Sequence, residues 1–211
     1  MLHKAVMLTA VMSLALTASA ARAAGPWALS VYGGAGVPTG DFADEKKADA
    51  QTGYIVGGAV DYQLNDKFAL GVDGSWNQNK SGQEGKTIAG TLIDKDKFKT
   101  FQIGAHGKYM FPAQNMPLHS WLLLGLGAYN TKEDYTETPS GGSPVDITEK
   151  FDTKFGGKFG LGATWKANDV VGIAAEVDYN FISEDKDKAG ISSAQYVGIQ
   201  GGLNFTMPHG K

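Results

Sequence analysis

Residues 154–181 read KFGGKFGLGATWKANDVVGIAAEVDYNF, two alternating runs around a short polar turn. Phe155, Gly157, Phe159, Leu161, Ala163 and Trp165 share one side of the first run. Lys154, Gly156, Lys158, Gly160, Gly162 and Thr164 share the other. In the second run Val171, Ile173, Ala175, Val177, Tyr179 and Phe181 face away from Gly172, Ala174, Glu176, Asp178 and Asn180. A period of two marks a strand whose faces meet different surroundings, whereas a helix needs spacings of three and four. Lys166 to Asp169 (Lys-Ala-Asn-Asp) is made of turn formers. The stretch is a β-hairpin, and each arm of about ten residues has the length a tilted strand needs to cross a bilayer core.

The pattern repeats on both sides of this hairpin. Trp27 to Ala35, Gly53 to Leu64, Phe68 to Asn77, Thr100 to Phe111 and Tyr196 to Phe205 all alternate, with Ile55 as an apolar exception on a polar side. Ser120 to Asn130 is apolar on both sides; Leu122, Leu124, Leu126 and Ala128 are placed outward, leaving Leu123, Gly125 and Gly127 inside. The connections alternate too. Leu64–Lys67, Pro112–His119 and Lys166–Asp169 are short. Val37–Gln51, Gln78–Lys97, Thr131–Lys150 and Ile182–Ala194 are long and polar. Eight strands in this order predict an all-β fold: an antiparallel up-and-down barrel crossing a membrane, with short turns in the periplasm, long loops outside and both termini periplasmic. The eighth strand has to pair with the first, because an open edge in lipid leaves unpaired backbone groups at several kcal/mol each.

Alternation alone does not say which face is the lumen, and a soluble lipocalin-like barrel would turn the apolar side inward. Three features favour lipid outside. The polar side is mostly Gly, Ala and Ser, which suits a narrow interior. The apolar side carries no charge in these runs, where a mid-bilayer lysine would cost roughly 2–4 kcal/mol. Aromatics gather at the strand ends of that side, as rings do at the two lipid–water interfaces. Trp27, Tyr62, Phe68, Tyr109, Phe111, Trp165 and Phe205 lie near the turns, and Trp76, Tyr179 and Phe181 near the loops.

The start of the chain reads as a cleaved signal peptide over residues 1–23, with the barrel domain over 24–211. Lys4 precedes an apolar Ala5–Ala18, Ala21-Arg22-Ala23 is a small-x-small cleavage site, and Ala18-Ser19-Ala20 is a second candidate. Of the 211 residues none is cysteine, which excludes disulfides, thiolate metal sites and a cysteine nucleophile. With 19 basic and 22 acidic residues the chain lacks the basic surface nucleic acid requires. Losing residues 1–23 removes Lys4 and Arg22 and no acid, so the mature chain is more acidic still.

Tyr32-Gly-Gly-Ala-Gly-Val-Pro-Thr-Gly-Asp-Phe42, followed by glycine-rich alternating hairpins to Phe205, resembles the small outer-membrane β-barrel proteins of the OmpA/OmpX type. The resemblance implies an eight-stranded barrel with variable outer loops and a terminal aromatic read by the barrel-assembly machinery. Leu203-Asn-Phe205 fits that ending, with Thr206 to Lys211 extending beyond it.

Inward polar side chains are expected at Asp61, Asp73, His106, Lys108, Lys154, Lys158, Glu176 and Asp178. Opposite charges in so narrow a space should pair. Either register the Lys166–Asp169 turn allows sets Lys158 opposite Glu176 or Asp178. Ser75, His106 and Asp73 have the residue types of a nucleophile, base and orienting acid. A lipopolysaccharide-modifying enzyme is therefore one alternative, although such chemistry needs a site open to lipid or the outer surface. A narrow pore is another, and eight strands leave room for little beyond side chains. No catalytic residue, cofactor or metal site is expected. The expected partners are outer-membrane lipid and lipopolysaccharide, the assembly machinery, and an extracellular ligand of the loops, for which Phe42, Ile88 and Tyr135 are the available apolar anchors. The chain is expected to be a monomer with a structural or cell-surface role.

Overall fold

The computed structural model describes residues 27–88, 91–111, 117–150, 152–183 and 193–207. The expected signal peptide lies outside them. Among the described residues there are ten strands: β1 (Trp27–Thr39), β2 (Gly53–Gln63), β3 (Phe68–Lys80), β4 (Thr87–Ile88), β5 (Thr91–Met110), β6 (Leu118–Pro139), β7 (Val145–Lys150), β8 (Lys154–Lys166), β9 (Val171–Ser183) and β10 (Ser193–Thr206). A 3-10 turn, Gly40–Phe42, follows β1. Eight strands close a ring in the order β5-β3-β2-β1-β10-β9-β8-β6, with β6 returning to β5. β1 pairs with β10 from Ala28↔Thr206 to Thr39↔Gln195, so the cylinder has no open seam. Among the described residues no helix is long and apolar enough to cross a membrane, which says nothing of a barrel that crosses with strands.

The two tight turns are built alike. Asn65 Oδ1 accepts the backbone N–H groups of Lys67 and Phe68, and Asn168 Oδ1 those of Val170 and Val171. An asparagine side chain thus supplies the acceptor that the turning backbone lacks. The second turn sets the β8–β9 register at Lys166↔Gly172. This corrects the sequence expectation for Lys158. It stands opposite Asn180, not Glu176 or Asp178.

Sidedness follows the alternation. Leu70, Val72, Ile103, Leu124, Leu126, Phe155, Leu161, Ile173, Val177 and Ile199 are all exposed on the outside. Leu123, Ile55, Tyr129 and Ile182 are buried inside. The lumen is narrow enough that glycine is needed wherever a ring crosses it. A Cβ at Gly57 would lie 2.6 Å from the Tyr32 ring, and one at Gly162 would overlap the Trp121 indole. This is the physical content of the small-residue inner face.

The long connections differ from expectation. Residues 91–97 and 131–139 continue β5 and β6 well past the barrel, and β7 joins as a third strand, pairing with β6 from Lys132↔Lys150 to Glu137↔Val145. What reads as loop is a raised three-stranded sheet at the loop end, flanked on β5 by the two-residue β4.

Candidate functional site

The lumen divides into three layers. At mid-height lies a charged chain of contacts. Lys108 Nζ donates to Asp61 Oδ2 (2.7 Å), and Asp61 Oδ1 accepts from His106 Nε2 (2.7 Å). His106 Nδ1 reaches Asp73 Oδ1 (2.8 Å), whose Oδ2 accepts from both Lys158 Nζ and Gln102 Nε2 (2.8 Å each). The Ser75 hydroxyl donates to Gln102 Oε1 (2.8 Å). Two ammonium groups thus face two carboxylates across an imidazole, which removes most of the cost of burying charge. Lys158 crosses from β8 to the opposite wall to meet Asp73. The physical reason is the width of the cylinder, since a lysine can span it and a neighbouring strand is not its only choice.

A second cluster is centred on Asp178, which accepts from Asn180 Nδ2 and Gln200 Nε2. Glu176 accepts from Trp121 Nε1 (3.1 Å), and Lys108 lies 5.3 Å from the same indole ring. Lys154 stands apart, opposite Tyr129 and two inward positions nearer the loop end than Lys158. Sequence reasoning misses the roles of Gln102, Trp121 and Asn180, although it places Gln200 in the lumen. Their only signal is position on an inward face, which glycines share.

Above this layer the lumen is stopped by apolar side chains. Phe42, Ala50, Ile55, Phe98, Tyr129, Ile182, Ala194 and Tyr196 pack together, and the Phe42 and Phe98 rings meet edge-on at 5.3 Å. Phe42 is buried, so it is not the exposed anchor the sequence suggested. The segment after β1 folds back over the barrel mouth, tied by the Ala50↔Ser81 bridge, and carries the ring inward. Ile55, the exception on its strand, faces this stopper. Tyr135 is half-buried, with its hydroxyl donating to Glu149 Oε1 (3.2 Å); the Ile88 side chain lies outside the described residues.

Below the charged layer a cavity of about 640 Å³ reaches the turn end, lined by Tyr32, Asp61, Lys108, Trp121, Glu176 and Gln200 among others. Its chemistry is closed. Both His106 nitrogens are committed to carboxylates and the Ser75 hydroxyl to Gln102, so serine and histidine do not form a nucleophile–base pair. No group of acidic or histidine side chains suited to a metal occurs among the described residues.

The ten aromatics proposed for the interfaces all sit on the outer face. Trp27 and Tyr62 rings stack edge-on at 4.8 Å at the turn end, continued by Phe68–Tyr109 (5.3 Å) and Tyr109–Phe111 (5.4 Å). Trp165 and Phe205 lie at that end, opposite Ile173 and Val171. At the loop end Trp76 stands beside Phe101, Tyr179 beside Phe159 and Phe181 beside Gly157.

A closed cylinder with apolar walls outside and ion pairs within is an integral membrane β-barrel. The chain belongs to the outer membrane protein beta-barrel domain family, whose model matches residues 6–205. Solved structures agree on the fold. A major outer membrane protein from Thermus thermophilus is 12% identical, with a TM-score of 0.53 over 85% of this chain and 99% of that one. Neisserial surface protein A is 18% identical, with a TM-score of 0.50 over 86% and 97%. A search of curated protein sequences finds no match.

Proposed function

We propose that this chain is a monomeric outer-membrane protein with a structural or cell-surface interaction role, neither catalytic nor conducting. Its tight turns and both chain termini face the periplasm, and the raised sheet of β5, β6 and β7 stands outside the cell. The mature chain begins near Ala24, and Leu203-Asn-Phe205 serves as its assembly signal. The ten outer-face aromatics rest at the two lipid interfaces.

The carrying observation is the inversion of polarity between the faces. Leu70, Val72, Leu126 and Phe159 are exposed outward, while Asp61, Asp73, His106 and Lys158 are enclosed. Water would reward the opposite arrangement. The apolar stopper at the loop end argues against a channel, and the committed ring nitrogens of His106 argue against hydrolysis. The raised sheet gives a partner a flat, partly solvated surface, which a bare barrel lacks.

The test is the electrophoretic mobility of boiled and unboiled protein from the outer-membrane fraction, followed by planar-bilayer recording. A heat-dependent band shift without steady conductance is expected. A protein found soluble in the periplasm, or one giving stable nanosiemens steps, would contradict the reading.

A further inference from the structure

Lysines on the outward face of the raised sheet fall into two rows. Gln78 pairs with Lys99, Lys99 with Lys132, and Lys132 with Lys150, one line across β3, β5, β6 and β7. One outward position farther from the barrel, Lys80 pairs with Lys97, Lys97 with Asp134, and Asp134 with Thr148. Five of these eight positions are lysine and one is acidic. Asp134 is ion-paired to Lys99 and also accepts from the Thr148 hydroxyl (2.9 Å). In a chain of net charge −3 such a concentration is not a matter of composition. Like charges placed directly opposite each other across strands destabilise a sheet, and Lys99–Lys132–Lys150 does this twice in succession. A bound anion would offset the cost.

The height of the rows says which anion. The outward row just below them is Trp76↔Phe101↔Asn130, where the lipid-facing belt ends. Two residues of strand rise put the first lysine row about 7 Å beyond those rings. That is the level of lipid headgroup phosphates. Level with Phe181, the outward positions of β10 and β1 are the uncharged Gln195 and Thr39. Lys80 and Lys150 are exposed, and Lys97, Lys99 and Lys132 are half-buried.

We propose that Lys80, Lys97, Lys99, Lys132 and Lys150 bind the phosphate groups of lipid A in the outer leaflet, holding one side of the barrel to lipopolysaccharide. The inference rests on the loop end being extracellular. Each ammonium contributes as a point charge with three donors, suited to phosphate oxygens that present no fixed fork.

The experiment is native mass spectrometry of the barrel in phosphatidylcholine nanodiscs doped with bisphosphorylated lipid A. Wild type and a Lys→Arg quadruple at 97, 99, 132 and 150 are expected to retain lipid A. K97Q/K99Q/K132Q/K150Q is expected to lose retention roughly tenfold or more, and K80Q/K150Q, which spares the Lys99–Asp134 pair, about fivefold. Fully dephosphorylated lipid A and phosphatidylglycerol are expected to be retained poorly by wild type. Equal retention by the glutamine variants, or of either control lipid by wild type, overturns the proposal. If the quadruple does not fold, K80Q/K150Q alone decides. A wild type without the heat-dependent band shift strikes at the membrane reading itself, whereas a folded wild type that retains no lipid A strikes only at this site.

Discussion

Asp73 is where the lumen's contacts converge, accepting from His106, Gln102 and Lys158. Removing the lysine strands a carboxylate that is almost fully enclosed. Lys158→Met should therefore lower stability by about 3 kcal/mol, read as a lower urea midpoint for unfolding from lipid vesicles. Pairing it with Asp73→Asn should recover part of that loss, since the stranded charge goes with it. An unchanged midpoint in the single variant would mean that water, not Asp73, neutralises the ammonium. Which charges point inward was legible, because alternation assigns a face to every residue of 154–181. Their partners were not. Lys158 reaches Asp73 across the lumen, from a strand 85 residues distant in sequence. Strand adjacency carries no information about contacts of that kind.

At the scale of elements, the raised sheet carries a pH dependence of its own. On its lumenal side burial, then the neighbouring carboxylates of Asp96 and Glu149, push Glu133 up to about 8. An unfolded glutamate titrates near 4.3. Between those values the folded sheet holds a proton that the opened one releases. Its stability is therefore fullest below about pH 4.3 and falls as pH rises towards 8. Amide exchange at Glu133 to Glu137, corrected for base catalysis, should quicken over that range, and Glu133→Gln should remove the extra acceleration. Phe42→Ala should loosen the stopper, leaving a cavity worth about 3 kcal/mol. Trypsin cleavage after Lys46 or Lys47 would report it as faster nicking of the folded protein; an unchanged rate would mean the segment is held by Ala50↔Ser81 alone. Neither element was legible beforehand. Residues 131–139 form strand with polar side chains on both faces, so their polarity does not alternate. Phe42 sits in a segment whose charges, Asp41 to Lys47, read as solvated surface.

Across the whole molecule, eight amphipathic strands close because each presents one apolar face and no edge is left to lipid. That much was readable from periodicity and from the alternation of short and long connections. The width of the barrel decides the rest, since it forces glycine beneath the rings of Tyr32 and Trp121 and lets one lysine bridge opposite walls. The central claim is that hydrocarbon surrounds the cylinder at mid-height, and nitroxide labels placed singly at Leu70, Val72, Phe159 and Val177 in vesicle-embedded protein test it most directly. The account predicts high collision rates with oxygen and low rates with a water-soluble nickel complex at all four, and the reverse for a label at Asp169 in the turn. Nickel access at the four belt positions equal to that at Asp169 would contradict it.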